Sequence, residues 1–158
     1  MLGGLELHPS VVHFPVALVS VGALFSVLYL IFPREWLRWF APVLLSLALL
    51  GAVAAYFSGQ SAEDRAEALG VPKAAIDQHE DSGTWGLGLT ALACLVAWAT
   101  HAGRRGVWIS AVLAVLATGV IFWSGHLGGR LVYVYGAGRV AGPGTAPAPA
   151  ARHEESEH

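Results

Sequence analysis

An all-α integral membrane protein, with four transmembrane helices in an up-down bundle, is the fold class that three observations predict. Of the 158 residues, 55% are apolar and only 13% charged, and the mean hydropathy of +0.57 is too high for a soluble domain. Four segments, roughly 11–32, 36–57, 84–102 and 107–124, are apolar over the length of about 20 residues that a spanning helix needs. The first and third connections are short, which makes helices 1 and 2, and helices 3 and 4, antiparallel neighbours.

The first segment opens on "HPSVVHFP", residues 8–15. Only "MLGGLEL" precedes it, without the positive region that a cleavable signal requires, so His8 and His13 are expected to stay in the mature protein. Proline at position 15 removes a backbone hydrogen bond to the carbonyl of Val11. A regular helix is therefore expected to start near Pro15, with residues 8–14 as a stiff lead-in at the membrane boundary. If that stretch is helical instead, the five residues from His8 to His13 separate them by about 140° and 7.5 Å, which favours separate sites or one ligand with the other as support.

The first connection, "PREWLR", holds Arg34 and Arg38, and the third, "HAGRRG", holds Arg104 and Arg105. Short loops rich in Lys and Arg face the cytoplasm. The second connection, residues 59–83, carries six acids against Arg65 and Lys73, so it is placed outside with both termini. Within it "SAEDRAEAL" reads as a short capped surface helix, and Pro72 suits the first position of another that runs on into span 3. The expected result is a partly helical outer loop between helices 2 and 3.

Span 3 carries the single cysteine, Cys94, which cannot form an intramolecular disulfide and is read as a small buried hydrophobe. Glycines 22, 51, 83, 86, 88 and 119 lie in the spans. Close helix packing is their default reading, and room for a flat cofactor is the alternative. Trp36, Trp39, Trp85, Trp108 and Trp123 fit an interfacial aromatic belt. The membrane domain is expected to fill residues 1–140, and the Pro/Ala-rich residues 141–158 to form a disordered tail in which His153 and His158 are solvated.

Crossing order brings four histidines to one membrane face. His8 and His13 open span 1, His79 precedes span 3 and His126 follows span 4, whereas His101 lies at the opposite face beside Arg104 and Arg105. Ionisable groups at membrane depth are costly and mark function. Imidazole suits copper, zinc and haem iron. No Cys-x-x-Cys occurs, which excludes thiolate zinc and covalent c-type haem, and the His-Glu-x-x-His zinc pattern is absent, although Glu80 or Asp81 offers a carboxylate. Glycines 125, 128 and 129 flank His126, and Arg130 is placed to meet an anion such as a haem propionate or a lipid headgroup. No nucleophile, base and oxyanion-donor set appears, so a stand-alone hydrolase is unsupported.

The stretches "LHPSVVHFPVAL" and "GHLGGRLVYVYGAG" resemble the two signatures of a bacterial membrane-protein family catalogued as domain of unknown function 2231. The resemblance runs to about residue 140 and implies a small membrane-anchoring domain, in some relatives joined to cytochrome c-type or other redox modules. It places the family's histidines on His8, His13, His79 and His126, while Tyr135 stands where a further histidine is common.

The expected function is membrane electron transfer through one or two b-type haems, in the bacterial inner membrane with the termini periplasmic. His13 and His79 form the leading axial pair, His126 and His8 the second, and Arg130 the cofactor-binding cation. A periplasmic cytochrome c or other redox protein, or a quinone, is the expected electron partner, alongside the bilayer. A homo-oligomer or a larger complex is also open, and no nucleic acid is expected. Copper or zinc bound for transport, or a structural anchor subunit, are the alternatives.

Overall fold

The computed structural model describes the backbone of residues 4–103 and 105–138, with side chains from His8 onward. Four long helices make up the described chain: α1 (Gly4–Ile31), α2 (Phe40–Ala68), α3 (Lys73–Thr100) and α4 (Val107–Tyr133), with a 3-10 turn (Glu35–Trp39) before α2. Each is long and apolar enough to cross a membrane. The expected tail, residues 141–158, lies outside the described residues, as do Arg104, Arg139, His153 and His158.

The bundle is two helical hairpins packed face to face. α1 packs most extensively on α2, and α3 on α4, while α1 also meets α4 and α2 meets α3. Its interior is built from small side chains: Ala23, Ala48, Ala93, Ala97, Ala114 and Ala117, with Val19, Leu45 and Cys94 among them. Large apolar side chains such as Leu24, Leu50, Leu95 and Phe122 instead face outward. This is the arrangement expected where lipid solvates the outside and association depends on close backbone approach.

The span glycines serve that approach. A Cβ on Gly22 would stand 3.1 Å from Leu45, one on Gly51 3.1 Å from the Pro15 ring, and one on Gly86 2.8 Å from Ile121. Packing, rather than a cofactor slot, accounts for these three. Between the hairpins, Trp98 Nε1–H donates to Ser46 Oγ at 3.0 Å, and Cys94 Sγ lies 3.4 Å from the same oxygen. Cys94 is buried, as expected of a small hydrophobe.

Two local expectations are corrected. Residues 8–14 are not a lead-in, because α1 runs helically through both Pro9 and Pro15. Membrane helices tolerate such interruptions when neighbours make up for them, and the Pro15 ring is buried against Gly51 of α2. Nor is "SAEDRAEAL" a separate surface helix, since α2 continues unbroken to Ala68. Ser61 is not a cap but an interior residue whose hydroxyl donates to the Phe57 carbonyl at 3.1 Å, and the Ala, Glu and Arg that follow are strong helix formers.

The outer loop thus shrinks to a tight turn, in which Gly70 takes a positive φ of 82°. Pro72 caps α3, which runs on into the third span as expected. Lys73 fastens this turn. Its ammonium donates to Glu63 at 3.0 Å and Glu67 at 2.9 Å and lies 3.5 Å from Asp77, joining the end of α2 to the start of α3. After α4, Gly136 turns the chain with φ 76°, and Ala137 packs on Ala66, Val71 and Ile76.

Candidate metal centre

Two of the predicted site histidines meet at one end of the bundle. The rings of His8 and His79 lie 6.0 Å apart between centroids, at 81° to each other. They come from opposite hairpins, His8 from α1 and His79 from α3.

Each ring is held by the second helix of its own hairpin. His79 Nδ1 lies 3.0 Å from the Ser124 carbonyl, an acceptor only, so Nδ1 carries the proton and donates. His8 Nδ1 lies 2.9 Å from Ser58 Oγ. The Ser58 hydroxyl proton is directed to the Ala55 carbonyl at 2.9 Å, so the serine oxygen accepts from His8 as well. Both neutral rings therefore carry Nδ1–H and present a lone pair on Nε2. An imidazole whose other N–H is fixed by a hydrogen bond in this way is set up as a metal ligand.

Glycine backs each ring. A Cβ on Gly59 of α2 would come within 3.1 Å of His8 Cε1, and one on Gly128 of α4 within 3.0 Å of His79 Cε1. The imidazoles therefore rest on bare helix backbone. The arrangement is a pair of like half-sites, each made of a histidine on the first helix of a hairpin and a serine and a glycine on the second. Sequence reasoning missed Ser58, Gly59 and Ser124. The two serines share a signal, the repeat of two aromatics, serine and glycine at 56–59 ("YFSG") and 122–125 ("FWSG"), although the glycine behind His79 is Gly128 and not the repeat's Gly125.

The remaining candidates stand apart from the pair. His13, expected to partner His79, is exposed and donates from Nδ1 to the Pro9 carbonyl of its own helix at 2.6 Å. That is the consequence of a helical 8–15 segment, which turns His13 about 140° from His8. His126 is exposed with its ring 5.6 Å from Trp123. Arg130 bonds Tyr135 Oη at 3.4 Å and borders a cavity of about 260 Å³ with Gln78, Leu127 and Leu131. His101 lies at the opposite end, packed on Trp39 at 4.0 Å.

The ligand count limits what the pair can hold. Two imidazoles bound through Nε2 to one ion at about 2.0 Å place their centroids about 5 Å apart at a tetrahedral angle and about 6.3 Å apart when opposed. The observed 6.0 Å falls in this range. Among the described residues, no group of three metal-ligating side chains includes a histidine. Glu80 groups instead with Glu63 and Asp77, where the Lys73 ammonium already sits against two of the three. A protein-built zinc site needs three or four ligands, and these residues do not provide them.

A haem also takes two axial imidazoles, but its macrocycle needs a slot between them. The small-residue interior is closed, and the 260 Å³ cavity beside Arg130 is below the usual size for a cofactor site. A family model described as a predicted membrane protein (DUF2231) matches residues 4–141. No curated protein and no solved structure matches the chain.

Proposed function

The chain belongs to the DUF2231 family of predicted membrane proteins, and from that premise we propose that it is a membrane metalloprotein holding one copper ion between His8 and His79. The observation that carries this reading is the paired half-site: two imidazoles from opposite hairpins, 6.0 Å apart, each with Nδ1–H committed to a fixed acceptor. Two neutral nitrogen ligands and no carboxylate suit monovalent copper, which accepts low coordination numbers and brings a smaller charge to membrane depth than a dication. Positive-inside bias supports placing the pair and both termini on the periplasmic side of a bacterial inner membrane, where the ion would exchange electrons or metal with a periplasmic partner.

Bis-histidine b-type haem is the second reading, favoured by the nearly opposed ring separation and the steep angle between the ring planes. It requires the hairpins to part around the macrocycle, whereas a bare ion does not. Haem, when bound, would supply one-electron chemistry.

The test is to purify the full chain from cells supplied with both copper and haem precursor, then measure metal content and a reduced-minus-oxidised spectrum. One copper per chain, lost in His8→Ala and in His79→Ala but kept in His13→Ala, is the expected result. A b-type absorption signal with the same dependence would replace copper with haem. Neither signal would leave a structural anchor and sink both readings.

A further inference from the structure

The end of the bundle opposite the histidine pair holds a second polar centre that the metal reading does not use. There the 3-10 turn, the loop after α3 and the ends of all four helices enclose a cavity of about 20 Å³. It has room for one atom or molecule of about water size. Arg38 and His101 both line it, and one nitrogen of each, Arg38 Nε and His101 Nε2, is buried without a hydrogen-bond partner. Leaving each unsatisfied costs roughly 1–3 kcal/mol, so two orphans on one cavity point to a missing ligand.

The chemistry of the lining decides what that ligand is. Arg38 Nε–H can only donate, and His101 Nε2 donates in the tautomer that carries its proton there. Tyr29 also lines the space, and among the described residues no carboxylate does. The carboxylate nearest to the guanidinium in bonding terms, Glu35, is 85% exposed and reaches Arg38 Nη2 at 3.5 Å, which leaves the positive charge weakly balanced. The first turns of α2, at Ala41, and of α4, at Val107, bring positive dipole ends that the C-terminal ends of α1 and α3 at the same cavity offset, so the Arg38 charge is the main electrostatic feature. One water could accept from both donors but would leave the Arg38 charge unbalanced; a monoatomic anion accepts from both and balances the charge as well.

We propose that one halide-sized anion binds at this end between Arg38 Nε–H and His101 Nε2. Because the cavity walls come from all four helices, the anion ties both hairpins together at the end away from the metal pair. Its failure would leave the copper reading untouched, since none of the residues is shared.

The experiment uses the detergent-purified full chain at constant ionic strength, with chloride replacing gluconate, which is too large for the cavity. The unfolding midpoint should rise with the logarithm of chloride concentration. Bromide should give a saturable fall in tryptophan fluorescence, because the Trp39 and Trp98 rings lie 4.0 and 5.7 Å from the His101 ring. Arg38→Gln should lose both responses. Should that variant fail to fold, the wild-type titrations still decide the matter. Equal midpoints in chloride and gluconate, or quenching that stays linear in bromide, would mean that the cavity holds only water. A full chloride response in folded Arg38→Gln would place the anion elsewhere and overturn the assignment.

Discussion

Gly128→Ala probes the proposed metal pair without altering either proposed ligand. The added Cβ would stand 3.0 Å from His79 Cε1, 3.5 Å from Nδ1 and 3.7 Å from Nε2. Ordinary carbon contacts lie at about 3.5–4.0 Å, so the ring has to withdraw by about 0.5–1 Å. Nδ1 is 3.0 Å from the Ser124 carbonyl, and that shift stretches the bond to the limit of a hydrogen bond.

Stability falls by a net amount of about 1 kcal/mol: about 1 kcal/mol for the weakened bond and about 1 kcal/mol of overpacking, against up to about 1 kcal/mol gained by alanine in a helix. The expected metal term is larger. Disturbing the group that orients a metal-bound histidine lowers affinity by roughly 10–100-fold. Gly125→Ala is the control, because its Cβ meets nothing within 4 Å. Copper(I) competition against a coloured chelator, with unfolding followed in parallel, should show affinity lost in Gly128→Ala at little cost in stability and kept in Gly125→Ala. Equal affinities in the two variants would refute the half-site reasoning.

Ser58→Ala removes the side-chain acceptor of His8 Nδ1–H and should lower copper affinity by about tenfold in the same competition assay. Gly86→Ala forces a Cβ to 2.8 Å from Ile121 Cγ1; detergent unfolding should show a loss of about 1–3 kcal/mol, partly recovered in the double variant with Ile121→Ala. Leu45→Ala, at a side chain with no exposed surface, should cost about 2–5 kcal/mol in that assay. Lys73→Met releases three carboxylates from one exposed ammonium; its lower unfolding midpoint should be visible at low salt and vanish near about 1 M, as expected of screened surface pairs.

The spans were legible because about 20 apolar residues in a row have few other uses. Their true lengths were less so. The residues after Phe57 are polar but strongly helix-forming, and hydropathy registers where the membrane stops rather than where the helix does. The prolines misled for a related reason, since neither shows in sequence that Gly51 on another helix will receive the Pro15 ring.

His8 and His79 were legible as candidates but not as partners. Pairing depends on helix phase, and a lead-in at 8–14 has none. Once α1 is helical from its start, His8 shares a face with Pro15, Val19 and Ser26, all buried, at spacings of seven, eleven and eighteen residues. His13 falls off that face. Arg38 was read only as a charge of a cytoplasm-facing loop and His101 only as lying beside Arg104 and Arg105, and only three-dimensional packing reveals that one nitrogen of each is sealed from solvent.

The division into hairpins gives the metal pair a mechanical meaning. Only the turn from Leu69 to Pro72 joins α2 to α3 covalently, so an ion shared by His8 and His79 acts as a reversible cross-link between two halves of the molecule. By the chain-entropy rule, a permanent cross-link closing the roughly 70-residue loop between these histidines would restrain the unfolded chain by about 4 kcal/mol, an upper bound for an exchangeable ion. Ion loading would add to the helix packing that already joins the hairpins, stiffening the end of the bundle that holds His8 and His79. A partner touching that end would meet the difference in stiffness without contacting the ion.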